Sequence, residues 1–207
     1  MGILCGIYRM KKPISRRTKA IAEDNYFRNL SFESVHPCCG LINDQRGKTG
    51  KGCSLGLYPV SYNGCEAIAI HNALTLLGKK STLAESIRSI QLCGGMWRKG
   101  LWGSDPARLG CVLKRRYGVK SSYFFNPEKP LSDGVYIISF WNSPKNLSCG
   151  LHTVALKVKG GGMTFYNDGG QGMKERRFDG RKLPQRYSQG FILGIRCFPA
   201  EKSPHGH

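Results

Sequence analysis

No stretch of this sequence approaches the roughly 20 consecutive apolar residues that a membrane-spanning helix needs. Its start also lacks the order of an export signal: in "MGILCGIYRMKK" a short apolar run precedes the positive charges instead of following them. The same residues miss the myristoylation pattern, because Gly6 stands where Ser or Thr is required. Cysteine is plentiful but unordered. Nine are present, an odd number with no Cys-x-x-Cys spacing, so a disulfide framework is poorly supported. The expected setting is reducing and cytoplasmic.

Acidic residues are scarce. Thirteen Asp and Glu face 32 Lys and Arg, and the formal charge of +19 puts a positive potential over much of the surface. Polyanions are expected to adhere non-specifically, since no base-reading motif accompanies the charge. With 40% hydrophobic and 10% aromatic residues the chain can build a core, so disorder throughout is excluded. A length of 207 residues suits one domain, or one domain with an appendage.

The chain divides near residue 52. Residues 1–52 are basic and weakly periodic, closed by "RGKTGKG", a Gly/Lys cluster that reads as a linker. They are a candidate propeptide, partner-binding arm or extension of the fold. Residues 53–200 carry the sharper pattern, and 201–207 read as a disordered tail. Gly64 to Leu77 has the apolar spacing of a buried helix with Gly78 as its stop. Thr82, three residues before Glu85, predicts a capping box and a second helix. A third is predicted in "GSDPARLGCVLKRRYG", capped by Ser104 or Asp105, with Pro106 in its first turn and Gly118 at its end. From Val119 the period shortens: "VKSSYFF", "GVYIISFW", "LHTVALKV", "GMTFYND" and "GFILGIRCF" read as strands, two of them joined by a glycine hairpin. Helices followed by strands indicate an α+β domain with a mainly antiparallel sheet.

One cysteine sits where chemistry is possible. Cys65 follows Asn63-Gly64 and opens the first helix, where unpaired N–H groups and the macrodipole favour a thiolate. A base is then needed, and the five histidines narrow to one. His205 and His207 lie in the tail, and His36 lies in the leader. His71 is about 240° round the helix from Cys65. His152 remains, on an inward face shared with Val154, Leu156 and Val158. Its orienting acceptor would come from the end of the partner strand, Asn167 or Asp168. A three-residue hairpin loop sets His152 opposite Asp168; a two-residue loop puts Asn167 on the same face instead.

A cysteine at a helix tip in "NGCEAIAIHNAL", then "GSDPARLGCVLKRRYG", then "LHTVALKV" and "MTFYND", resembles the papain-like cysteine peptidases. It is most similar to the branch that includes the bacterial double-glycine leader peptidases. The resemblance runs from about Leu57 to Phe198 and rests on the order and spacing of the motifs. It implies a papain-like α+β fold and a thiol peptidase or amidase acting on a peptide or protein, with no cofactor or metal. In that family the thiolate attacks a carbonyl, the histidine shuttles the proton and Asp or Asn fixes the imidazole. The family's glutamine, about six residues before the cysteine, donates to the oxyanion; here the position holds Pro59. Ser61, Tyr62, Asn63 and the Cys65 backbone are the substitute donors at hand. Loss of such a donor typically costs about 10²–10³ in rate. Two alternatives therefore stand beside the peptidase: an inactive papain-like module that binds an acidic protein or nucleic acid, and a transglutaminase-like acyl transferase.

Other signals carry less. "RGKTGKG" supplies only the last residues of a phosphate loop, because the first glycine would fall at Ile42. "HPCC" with Cys53 lacks zinc spacing. "KERRFDGRK" reads as a solvated basic loop, and Trp97, Trp102 and Trp141 as packing residues. Nothing in the sequence fixes an oligomeric state. Because charge alone explains polyanion adhesion, fluorescence anisotropy with random-sequence DNA should show binding that falls steeply with salt and disappears at physiological ionic strength. Binding that persists there would instead mark a dedicated nucleic-acid surface.

Overall fold

The computed structural model describes residues 14–37, 40–93, 95–168 and 175–199. Cys5, Cys38, Cys39, the glycines after Asp168 and the C-terminal tail lie outside them. The architecture is α+β: helices precede a six-stranded sheet in which every pairing is antiparallel.

The basic leader is not featureless. Helix α1 (Arg16–Val35) is capped by Ser15, whose hydroxyl accepts from the Thr18 N–H. Its buried residues are Ala22, Asn25, Asn29 and Glu33, a stripe at helical spacing that is almost wholly polar. The three polar ones make their contacts through hydrogen bonds. Asn25 Nδ2 donates to Gly56 O at 2.7 Å and Gln91 Oε1 at 3.0 Å. Asn29 pairs both ways with the Ser54 backbone, at 2.9 and 2.8 Å. Glu33 accepts from the N–H groups of Leu83 and Ala84, at the start of a later helix. Burial pushes the Glu33 carboxyl up, against the opposing pull of those two N–H groups.

The Gly/Lys cluster is likewise structured rather than a linker. Its Lys48–Gly52 forms the short helix α2, with Gly52 pressed against the Phe32 ring. A two-stranded hairpin follows, β1 (Ser54–Leu55) and β2 (Tyr58–Pro59), then the single turn α3 (Val60–Asn63). Helix α4 (Cys65–Leu76) is apolar on almost all sides and is buried from Cys65 through Leu74. That burial explains why its apolar residues show no single face. Helix α5 (Leu83–Leu92) has the Thr82–Glu85 capping box in full. Asp105 caps the 3₁₀ turn Pro106–Arg108, which runs into α6 (Leu109–Tyr117) and ends at a left-handed Gly118.

The sheet follows as β3 (Ser121–Phe124), β4 (Gly134–Trp141), β5 (Leu151–Lys159), β6 (Gly162–Tyr166), β7 (Arg176–Asp179) and β8 (Phe191–Cys197). Its order is β3-β8-β4-β5-β6-β7. Strand β7 arises from the run expected to be a solvated basic loop. It is the edge strand beside β6, with alternating half-buried and exposed residues. Lys159 pairs with Gly162, so the β5–β6 hairpin closes through the two residues Gly160 and Gly161, both at positive φ. A two-residue turn of this hand suits the strand twist and demands residues free of a Cβ penalty.

Two cores result, one on each face. Val135, Ile137, Leu193 and Ile195 pack with α4, α5 and α6. Tyr136, Ile138, Phe140, Val154, Leu156 and Val158 pack with Tyr187 of the short helix α7 (Gln185–Ser188). Tyr187 stacks on Phe165 at 4.2 Å. Among the described residues no helix is long and apolar enough to cross a membrane.

Because α1 docks largely by hydrogen bonds to backbone, Asn29→Ala should leave the Ser54 N–H and C=O without these partners in a half-buried site. Denaturant unfolding should register a loss of about 1–3 kcal/mol. A change indistinguishable from zero would mean that the Asn29–Ser54 pair contributes nothing to the stability of the domain.

Candidate active site

Cys65 stands at the first turn of α4, where the sequence puts it. Gly64 before it has φ −101°, so no left-handed turn is involved; a Cβ there would approach Val60 Cγ1 to 2.4 Å. Glycine is required for the close abutment of α3 on α4. The thiol is 7% exposed and donates to Glu66 Oε2 at 3.2 Å. From the sheet side the Thr153 N–H also faces the sulfur, as does the N–H of Glu66.

These N–H groups favour a thiolate, but they do not prevail. Burial, followed by the charge and hydrogen bond of Glu66, pushes the Cys65 thiol well above its ordinary range. The lowered pKa expected at a helix tip is therefore absent in the resting site. Helix-end electrostatics are worth about 0.3–2 kcal/mol, whereas full burial moves a pKa by as much as 3–5 units, about 4–7 kcal/mol. Desolvation wins. Glu66 shares the fate of its neighbour: burial raises its carboxyl from 4.5 to about 7.

His152 lies at the start of β5, one residue from Thr153. Its Nε2 is 2.6 Å from the main-chain oxygen of Asn167. A carbonyl only accepts, so Nε2 carries the proton and Nδ1 holds the free lone pair in the neutral ring. Burial lowers the His152 pKa below 6.5, and the nearby Arg186 and Arg46 add to that, while the Asn167 carbonyl and the Asp168 charge oppose it. The imidazole is thus neutral at pH 7. Its ring meets Phe140 edge-on at 5.9 Å, and Phe140 in turn meets Tyr187. Among the described residues no hydrogen bond joins His152 to Cys65.

The two candidate orienters divide the task. With the two-residue hairpin loop, Asn167 contacts the imidazole, but through its carbonyl rather than its amide. The Asn167 side chain faces the other way. Its Oδ1 accepts from the Gln45 N–H at 3.0 Å, its Nδ2 donates to Gln45 Oε1 at 3.4 Å, and its own N–H donates to Asn43 Oδ1 at 3.4 Å. Held this way, Asn167 adopts φ +64°, a left-handed conformation that asparagine tolerates. Asp168 is buried and acts through charge. It accepts from the Tyr187 hydroxyl at 2.6 Å and pairs with Arg176 at 3.3 Å and Arg186 at 3.6 Å.

Of the oxyanion candidates, Asn63 is committed elsewhere. Its amide donates to Leu55 O at 3.1 Å and Gly100 O at 2.6 Å, which ties the β1–β2 hairpin to the loop after α5. Tyr62 points outward, 62% exposed and beside Tyr58. The Ser61 carbonyl accepts from Gln45 Nε2 at 3.4 Å, and that of Val60 at 2.9 Å. A glutamine amide does reach this turn, but from a position 20 residues upstream of Cys65 and not from position 59.

The loop after α5 passes over the same end of α4. Leu57 N–H donates to Lys99 O, and a Cβ on Gly103 would sit 3.7 Å from Glu66 Oε2. Arg98 and Lys99 are consecutive left-handed residues, each costing about 1–2 kcal/mol. Trp97 and Trp102, expected to pack inside, are 47% and 59% exposed, with the Arg98 guanidinium 4.4 Å from the Trp102 ring. Leu57 and Tyr62 are likewise exposed.

Glu66 escaped the sequence reading, although an acid in the otherwise apolar "CEAIAI" is a visible anomaly. Asn43 and Gln45 gave no sign. Cys65, Cys93, Cys149 and Cys197 are free thiols, and among the described residues no three His, Cys, Asp or Glu side chains are grouped to hold a metal. No protein family, curated protein or solved structure matches the chain when it is compared with known proteins.

The Asp168 charge raises the His152 pKa against desolvation. Asp168→Asn should therefore move the imidazole's titration midpoint, followed by NMR, further down. An unmoved midpoint would show that Asp168 is electrostatically silent at His152.

Proposed function

We propose that the chain is a papain-like cysteine peptidase or amidase. Cys65 is the nucleophile, His152 Nδ1 the proton-exchanging nitrogen, the Asn167 carbonyl the orienter and Asp168 a buried charge in support. One observation supports the reading: consecutive residues of β5 lie where the two halves of such chemistry would need them, the Thr153 N–H facing the Cys65 sulfur and His152 bonded to Asn167 O through Nε2. The Nε2–H tautomer leaves the correct nitrogen free to take a proton, and burial keeps it neutral. The oxyanion falls to backbone N–H groups at the tip of α4, since Pro59 has none and the Asn63 amide is spent. The substrate is a peptide or other amide.

A papain-like domain that binds without turnover is the second reading. The raised thiol pKa and the missing glutamine amide favour it. Acyl-enzyme formation separates the two. A p-nitrophenyl ester should give a burst of one p-nitrophenolate per chain, abolished in Cys65→Ala, and His152→Ala should slow the turnover that follows the burst by about 10²–10⁴. No burst from the intact protein would favour the binding module.

A further inference from the structure

Glu66 has no part in the scheme above, yet it is the group the thiol touches. Its side chain is enclosed: Cys65 Sγ lies 3.2 Å from Oε2, and the Thr153 hydroxyl lies 3.5 Å from Oε1. Thr153 is itself backed by Ser139 of β4 at 3.0 Å. From the loop side come Gly103 and the buried Ser104 hydroxyl. Of these neighbours only Cys65 titrates, and among the described residues no Lys, Arg or His is paired with Glu66. A carboxylate stripped of water and given no cation must hold a proton or borrow one. The nearest proton is on sulfur.

We propose that Cys65 and Glu66 form a proton-sharing dyad in which Glu66 Oε2 is the first acceptor of the thiol proton. The inference rests on the peptidase reading and adds a catalytic residue to it. In the resting site the S–H bond points at the carboxylate. During attack that bond breaks, its proton passes to Oε2, and its electron pair forms the bond from sulfur to the carbonyl carbon. When the C–N bond breaks, the leaving nitrogen takes the proton from Oε2. In the second half a water molecule attacks the thioester as His152 Nδ1 takes its proton. The thiolate then leaves and recovers that proton from His152, which restores the thiol and the carboxylate.

The dyad has a signature that a merely structural glutamate would lack. The pair carries two protons at low pH and one after its first ionisation. In the one-proton form the proton sits on sulfur or on Oε2 in a ratio that pH cannot alter, because both tautomers hold the same number. The thiolate fraction therefore rises tenfold per pH unit up to the first ionisation, near 7 by the raised Glu66 carboxyl, and is flat above it until loss of the second proton, held back by the charge of the first, begins to contribute.

The test is iodoacetamide labelling of Cys65 in the full chain, read by mass spectrometry from about pH 5.5 to 9. Wild type should climb and then level near pH 7. Glu66→Gln removes the second proton site, so its rate should keep climbing, and its ratio to wild type should grow about 100-fold between pH 7 and 9. A wild-type rate that climbs through pH 9 overturns the proposal, as does a Glu66→Gln profile that levels where wild type does. Should Glu66→Gln not fold, the wild-type profile alone decides. The two readings fail separately. An ester burst with no plateau sinks the dyad and spares the peptidase, whereas a plateau with no burst sinks the peptidase and leaves proton sharing established.

Discussion

Consecutive residues on a strand face opposite sides of a sheet, and the site depends on that alternation at His152 and Thr153. The Thr153 hydroxyl faces the helical side, where Ser139 and Glu66 receive it. The His152 ring faces the aromatic core, edge-on to Phe140. At this end of β5 the Thr153 backbone lies beside the Cys65 sulfur, and His152 is the next residue along the strand. The register of β5 is fixed on both flanks, by eight paired positions with β4 and by the two-glycine turn into β6. A slip of one residue would exchange the faces of every side chain on the strand, and the site with them.

The same logic gives the leader its role. Asn167 can present its carbonyl to His152 because its other polar groups are all turned toward Asn43 and Gln45. Gln45 continues to α3, one turn before Cys65, and the Ile42 backbone pairs both ways with Asn72 of α4. Residues 42–45 therefore bridge the histidine hairpin to the cysteine helix. The described leader thus hydrogen-bonds both to the hairpin that carries His152 and to the helix that carries Cys65. Most of those contacts are hydrogen bonds to backbone, which fix geometry more sharply than apolar contact because they tolerate little change of distance or angle.

That also explains what could be read from the sequence and what could not. The three core helices, their caps at Thr82 and Asp105, the stop at Gly118 and five strands were legible because apolar period and capping chemistry are local. Cys65 and His152 were legible because their positions at element ends are local as well. Helix α1 was not, since its buried stripe of Ala22, Asn25, Asn29 and Glu33 looks solvent-facing to any hydropathy pattern. Strand β7 was hidden for a related reason: Arg176 and Arg177 supply an edge strand with charge, as edges tolerate. The choice between Asn167 and Asp168 turned on a loop length that "KGGG" leaves open by one residue. The observed register then brought in a backbone oxygen, which no residue identity can announce.

The thiol sets the remaining constraint. A helix tip alone is not enough to ionise a cysteine that is 7% exposed, because the gain from N–H groups is smaller than the loss of water. Exposed cysteines at helix tips escape this balance; Cys65 does not, and an ionised Glu66 beside it makes the deficit larger. Such a site can keep its nucleophile as a neutral thiol at rest and generate the thiolate only when a proton acceptor is already in contact. Glu66 satisfies that condition at 3.2 Å, and burial makes its carboxylate a stronger proton acceptor than an exposed one. Desolvation, which defeats the helix tip, thus also strengthens the acceptor that the thiol proton meets first.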